Sequence, residues 1–271
     1  MNLLNSISLV GLGFLIGALG TLIGAGGGFI LVPVLLLLYP ESKPELITSI
    51  SLAVVFLNAS SGSVAYARMK RIDYKSAMIF ASATLPGAVI GAIGTGYIPR
   101  HTFDIVLSIL LLVISILLLL KPQQGVFREV KWSKYHVSRS VTERSGTQHN
   151  YSFNNFIGIV LSFIVGFISS LLGIGGGIIH VPALTKLLNF PVHIATATSH
   201  LILACMALTG TIVHIIQGNF TDGWLRTLLI GVGVVVGAQL GAILSDKIKG
   251  PMIVRILAIA LLLVAVRLFF Q

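Results

Sequence analysis

Residues 20–38 read GTLIGAGGGFILVPVLLLL, and residues 169–187 read SSLLGIGGGIIHVPALTKL. Aligned, Gly24 falls on Gly173, Gly26, Gly27 and Gly28 on Gly175, Gly176 and Gly177, and Pro33 on Pro182, a shift of 149 residues. The match extends outward. Thr48, Ser51, Gly62 and Ser63 fall on Thr196, Ser199, Gly210 and Thr211 at a shift of 148. Gly87-Ala88 and Gly91-Ala92 fall on Gly237-Ala238 and Gly241-Ala242 at a shift of 150. A correspondence held over three segments with one-residue drifts marks an internal duplication, not a shared apolar composition.

The 271 residues around this repeat are 55% hydrophobic and 10% charged. A water-soluble domain could not cover so much apolar surface, whereas lipid accepts it, so soluble enzymes are excluded as a class. The net charge of +10, from 18 Lys and Arg against 8 Asp and Glu, therefore reads first as membrane topology and not as nucleic-acid binding. Cys205 is the single cysteine, so no internal disulfide forms. No Lys or Arg precedes Lys43, and the start lacks the basic region and cleavage site of a signal peptide, so it is expected to be retained.

A spanning helix needs about 20 predominantly apolar residues. Residues 46–67, 76–97, 103–120, 192–216, 224–244 and 252–270 meet this, while 7–38 and 155–188 are too long for one span and are broken by the glycines. The expected fold is an all-α polytopic membrane protein with two homologous four-span repeats, 1–120 and 152–271, each opening with a glycine-broken segment. Residues 121–151 carry Lys121, Arg128, Lys131, Lys134, Arg139 and Arg144 against Glu129 and Glu143. They read as a basic, solvated cytoplasmic connector, with a membrane-surface helix on anionic lipid as the alternative.

Charge tests the orientation of the copies. If each broken segment crosses once, the copies are parallel and 12 of the 18 basic residues lie inside. If each dips in and returns as a re-entrant hairpin, the second copy is inverted and 14 lie inside. The positive-inside rule favours inversion. Length agrees, since about 15 residues before the glycines rise ~22 Å and about 10 after them ~15 Å, closer to half than to full membrane thickness.

Broken backbone at membrane depth survives only where protein or a water-filled cavity surrounds it. The helices expected to start at Phe29 and Ile178 present unpaired N–H groups and partial positive charge, so two such ends suit a small anion near the midplane. Gly24, Gly26, Gly27, Gly28, Gly173, Gly175, Gly176 and Gly177 are the candidate backbone residues. The competing reading is close helix packing by small residues. A nucleotide loop is disfavoured, because GAGGGF lacks a preceding strand and a phosphate-binding lysine. Pro33 and Pro182 fit a helix beginning just after the glycines, or else a kink.

The doubled Gly-x-Gly-Gly-Gly signature with its following proline, and the Thr/Ser segments 48–52 and 196–201, resemble the sulfite exporter TauE/SafE family of membrane transporters. The likeness covers the chain apart from 121–151. It implies movement of small anions, typically sulfite or sulfur-containing organic acids, by a multi-pass protein of the bacterial inner membrane, without enzymatic activity or cofactor. One departure is His180 where the first copy has Leu31, and another is His200 where it has Leu52.

Ionisable residues inside spans are functional candidates by default. His180 and His200 are therefore added to the substrate-binding set, with neutral helix-joining histidines as the alternative. Thr48, Ser51, Thr196 and Ser199 offer hydroxyls on one helix face in each copy, unless they bond their own helix carbonyls. Asn58 and Gln239 read as amides that join helices. No metal-ligand spacing occurs. The expected function is a secondary transporter, an exporter of a small anion working by alternating access, coupled to a proton or sodium gradient. An anion channel and an intramembrane hydrolase using Ser51 or Ser199 with His200 or His214 are the alternatives.

Overall fold

The computed structural model describes residues 3–119, 135–220, 223–245 and 251–270. In chain order they form α1 (Leu3–Ile23), α2 (Gly28–Leu38), α3 (Pro44–Arg68), α4 (Tyr74–Thr95) and α5 (Arg100–Leu119). There follow β1 (His136–Thr142), β2 (Gln148–Asn154), α6 (Asn155–Leu172), α7 (Gly177–Leu187), α8 (Val192–Ile216), α9 (Trp224–Leu244) and α10 (Pro251–Phe269). Among the described residues, seven helices are long and apolar enough to cross a membrane. Local chemistry sets several starts. Pro44 occupies the first turn of α3 after extended Lys43, where its missing N–H is harmless. Asp73 accepts from the Ser76 N–H at 3.1 Å, and Asn154 from the N–H groups of Phe156 and Ile157, capping α4 and α6.

The broken segments differ from the expected pair of half-length limbs. α1 has 21 residues and α6 has 18, about 31 and 27 Å and so of spanning length. α2 and α7 have 11 each, about 16 Å. The polar Asn5 and Ser6 lie inside α1, so counting apolar residues from Ile7 undercounts the helix. Pro33 and Pro182 lie within α2 and α7, whose starts at Gly28 and Gly177 directly follow the breaks.

Glycines control how the long helices meet. A Cβ on Gly233, Gly237 or Gly241 of α9 would land on the carbonyl oxygen of Val10, Phe14 or Ala18 of α1, so these two helices run parallel in close contact. In the same way Gly87 and Gly91 of α4 lie against the carbonyls of Phe163 and Phe167 of α6. With no hydrophobic drive between helices in lipid, such backbone proximity is the main source of packing attraction. α3 packs on α8 and α9, α4 on α8, and α5 on α10. Ser115 of α5 donates to the Ala258 carbonyl of α10 at 2.6 Å.

One end of the bundle gathers the α3–α4 loop, the start of α6 and the α7–α8 junction. There Leu188 and Phe80 both lie against Gly158, and Phe190 meets Tyr151 and Phe153 with tilted rings at separations of 4.5 and 4.9 Å. The opposite end carries the α2–α3 loop and the start of α9, where the Arg226 guanidinium sits 3.9 Å above the Tyr39 ring. Arg100 there pairs with Asp104 at 2.8 Å and donates to the Ser42 carbonyl at 2.6 Å.

The connector is not simply a solvated loop. Residues 136–154 form an antiparallel hairpin, with His136 opposite Asn154 and Thr142 opposite Gln148, turning at Gly146, whose φ is 89°. Tyr151 and Phe153 alternate inward and are buried against the bundle, as period-two side chains on a one-sided hairpin must be. Its basic residues dominate the sequence pattern and mask this alternation. β2 also crosses the expected repeat boundary at 152. Residues 121–134 lie outside the described residues.

Candidate functional site

Both breaks are buried and touch each other. Gly24, Gly26 and Gly27 have φ of 84°, 76° and 83°, and Gly173 and Gly175 have 67° and 73°, left-handed values that side-chain-bearing residues adopt only under strain. Gly28 and Gly177 answer a different need. A Cβ on Gly28 would lie 2.6 Å from the Ile174 carbonyl carbon, and one on Gly177 would lie 2.7 Å from the Ala25 Cα. Gly176 is right-handed, and a Cβ there would lie 2.7 Å from Val165. Packing thus accounts for three of the eight candidate glycines and backbone conformation for five. The junction sits at mid-length of α3 and α8, where Val55 touches Gly26, Gly28 and Gly175, and Leu203 touches Gly26.

Two helix N-termini converge there. The first turn bonds run from the N–H groups of Ile30 and Leu31 to the Gly27 carbonyl at 3.1 and 3.0 Å, and from Ile179 and His180 to the Gly176 carbonyl at 3.1 and 2.8 Å. The N–H groups of Gly28, Phe29, Gly177 and Ile178 precede these bonds, so the partial positive ends of α2 and α7 face the middle of the bundle.

Each break packs on the Thr/Ser helix of the other half. Gly173 sits beside Thr48 and Gly24 beside Thr196. Ser51 Oγ donates to the Gly173 carbonyl at 2.6 Å, while Ser199 Oγ, at the corresponding place, is fully buried with no hydrogen-bond partner. Thr48 Oγ1 bonds its own helix at Pro44, 2.9 Å, and lies 3.4 Å from His214 Nε2. His200 Nδ1 lies 3.2 Å from the Thr196 carbonyl, and its Nε2 is buried without a partner. His180 stands apart from these donors, its Nε2 3.1 Å from Ser162 Oγ of α6. Ser199 has no histidine as a hydrogen-bond partner, and Ser51 spends its proton on a carbonyl, so neither serine is paired with a base.

The sequence reading passed over the surroundings of His200. Thr21 Oγ1 donates to Asn58 Oδ1 at 2.9 Å, joining α1 to α3 as expected of an amide, yet Asn58 Nδ2 stays buried and unpartnered beside Gly27. Tyr66 donates its hydroxyl proton to the Thr21 carbonyl at 2.9 Å and meets the His200 ring edge-on at 5.3 Å. Gly62 makes room for that ring, since a Cβ would lie 2.7 Å from His200 Cδ2. The available signal was spacing: Ser51, Val55, Asn58, Gly62 and Tyr66 share one face of α3. At Met206, the counterpart of Asn58, no amide is present. Among the described residues no three His, Cys, Asp or Glu side chains gather to hold a metal.

The profile of the family described as Sulfite exporter TauE/SafE matches residues 9–268. A probable membrane transporter of Bacillus subtilis, YunE, is 34% identical over 271 residues, which cover 98% of this chain and 97% of that protein. A probable membrane transporter of Methanocaldococcus jannaschii, MJ0441, is 25% identical, covering 89% and 86%. One from Xylella fastidiosa strain Temecula1 is 25% identical, covering 92% and 88%. No solved structure matches the chain.

Proposed function

This chain belongs to the sulfite exporter TauE/SafE family of membrane transporters, and from that premise we propose that it is a secondary transporter exporting a small oxyanion such as sulfite across a bacterial inner membrane. The observation that carries this reading is the junction of the two glycine breaks. It brings two helix N-termini to mid-bundle beside the donor Asn58 Nδ2, while α8 adds a second donor, Ser199 Oγ, and His200 Nε2, which donates only when the ring is protonated because Nδ1 serves the Thr196 carbonyl; all three atoms are buried and otherwise unpartnered. A buried polar atom without a partner destabilises the fold by about 1–3 kcal/mol, which a bound anion relieves. Gly28, Gly177 and their neighbours contribute backbone N–H groups. Thr48, Ser51 and Thr196 hold the breaks in register, and His180 fastens α7 to α6.

The halves 1–120 and 152–271 act as inverted repeats. Supporting this, α1 lies parallel to α9 while α6 lies parallel to α4, and Leu188 beyond α7 returns to the start of α6. With both breaks buried, substrate enters when one short helix parts from the opposite break, alternately at the two ends. A proton or sodium gradient supplies the drive.

Proteoliposomes loaded with radiolabelled sulfite test the proposal, with a panel of other small anions as competitors. Expected is saturable efflux that Asn58→Leu and His200→Leu reduce at least tenfold, the loss of about one charge-assisted hydrogen bond each, while the lipid-facing Val236→Ala does not. Non-saturable flux would point instead to a channel, and unchanged flux in both variants would remove the site.

A further inference from the structure

The end of the bundle that carries the hairpin also carries a pocket of about 430 Å³ between the C-terminal ends of α3 and α9 and the hairpin turn. Arg68, Arg71, Arg144, Ser145, Gln239 and Ile243 help to line it. Its one carboxylate is spoken for: Glu143 is held at 2.8 Å by both Arg71 and His149. Arg68 and Arg144, both exposed, line this one cleft and have no ion-pair partner among the described residues. Below them Val232, Val236, Leu240 and Ile243 form a continuous exposed apolar strip on one face of α9, and that strip ends in the pocket.

We infer that this pocket binds an anionic phospholipid, with the headgroup phosphate between Arg68 and Arg144 and an acyl chain along the α9 strip. Arginine presents a planar fork that matches phosphate oxygens. Basic pockets beside spanning helices at the positively charged membrane face suit such headgroups. The strip favours a lipid over a free ion, because it runs from the pocket along the bilayer face of α9 and offers an acyl chain a path that begins at the arginines. Since Arg144 lies in the hairpin turn, whose backbone N–H bonds the Met69 carbonyl at 3.0 Å, the lipid also ties the hairpin to α3.

The test measures retention by native mass spectrometry of the full chain in mixed micelles, using phosphatidylglycerol, phosphatidylcholine and, separately, inorganic phosphate in millimolar excess. Phosphatidylglycerol should be retained and should raise the melting temperature, and the other two should do neither. Each arginine near an anionic headgroup contributes about a fivefold factor, so Arg68→Gln with Arg144→Gln should weaken retention about 25-fold. Should that double variant fail to fold, Ile243→Asp keeps both arginines and must still release the lipid. Equal retention of phosphatidylcholine, equal stabilisation by phosphate, or wild-type retention in Ile243→Asp would each overturn the assignment.

Discussion

Ser51 and Ser199 occupy corresponding positions, yet the structure gives them opposite energetics. Ser51 Oγ donates to the buried Gly173 carbonyl at 2.6 Å. Ser51→Ala strands that acceptor, at a stability loss of about 1–3 kcal/mol. For a chain of this size 1 kcal/mol shifts the melting temperature by about 2–4 °C, so a loss of about 2 kcal/mol lowers it by about 4–8 °C. Ser199 Oγ is buried with no partner, so Ser199→Ala removes a desolvated hydroxyl that nothing offsets, and the melting temperature should hold or rise. Flux should respond to both variants for different reasons: Ser51→Ala through a loosened break, Ser199→Ala through a lost donor to the anion. Thermal unfolding in detergent, followed by intrinsic fluorescence, and sulfite efflux from proteoliposomes separate the two. A fall in melting temperature for Ser199→Ala as large as that for Ser51→Ala would refute the distinction, as would full stability of Ser51→Ala.

Close packing and backbone conformation also separate. Gly237→Val drives a Cβ onto the Phe14 carbonyl and should destabilise by at least about 3 kcal/mol, whereas Gly146→Ala, with open space around a φ of 89°, should lose only about 1–2 kcal/mol; yields and melting temperatures compare them. Single cysteines at Glu41 and Lys186 in a Cys205→Ser background should label differently with an impermeant external thiol reagent, Glu41→Cys readily and Lys186→Cys poorly, and the reverse pattern would overturn the proposed orientation. Burial raises the Glu143 carboxyl pKa, but hydrogen bonds and charge from Arg71 and His149 outweigh it, and the net value lies below the ordinary 4.5. Its contribution is therefore present above that value and is lost as pH falls through the lowered one. Proteolysis of the hairpin should stay constant from about pH 7 to 5 and rise only at more acid pH, and Glu143→Gln should remove that dependence.

Much of the fold was legible because its rules are local. Span length follows from bilayer thickness, and the positive φ of Gly24 and Gly173 follows from clusters that other residues could not form. The hairpin escaped notice because Arg139 and Arg144 obscure the alternation of Tyr151 and Phe153, which has meaning only once Phe190 and Phe80 supply an apolar surface to meet it. Asn58 looked like a helix-joining amide and is one through Oδ1; its spare Nδ2 appears only when α1 and the first break are laid against α3.

By itself the sequence determined a membrane-embedded helical chain with two glycine breaks, and it raised the expectation of duplicated halves and of an anion site. The tertiary structure alone decided that the breaks meet at Val55, that Ser51 is satisfied while Ser199 is not, and that Arg68 and Arg144 share a cleft. The physical reason is range. Backbone conformation and hydrophobic length depend on a few consecutive residues, whereas a hydrogen bond between Ser51 and Gly173, 122 positions apart, depends on where separate helices cross.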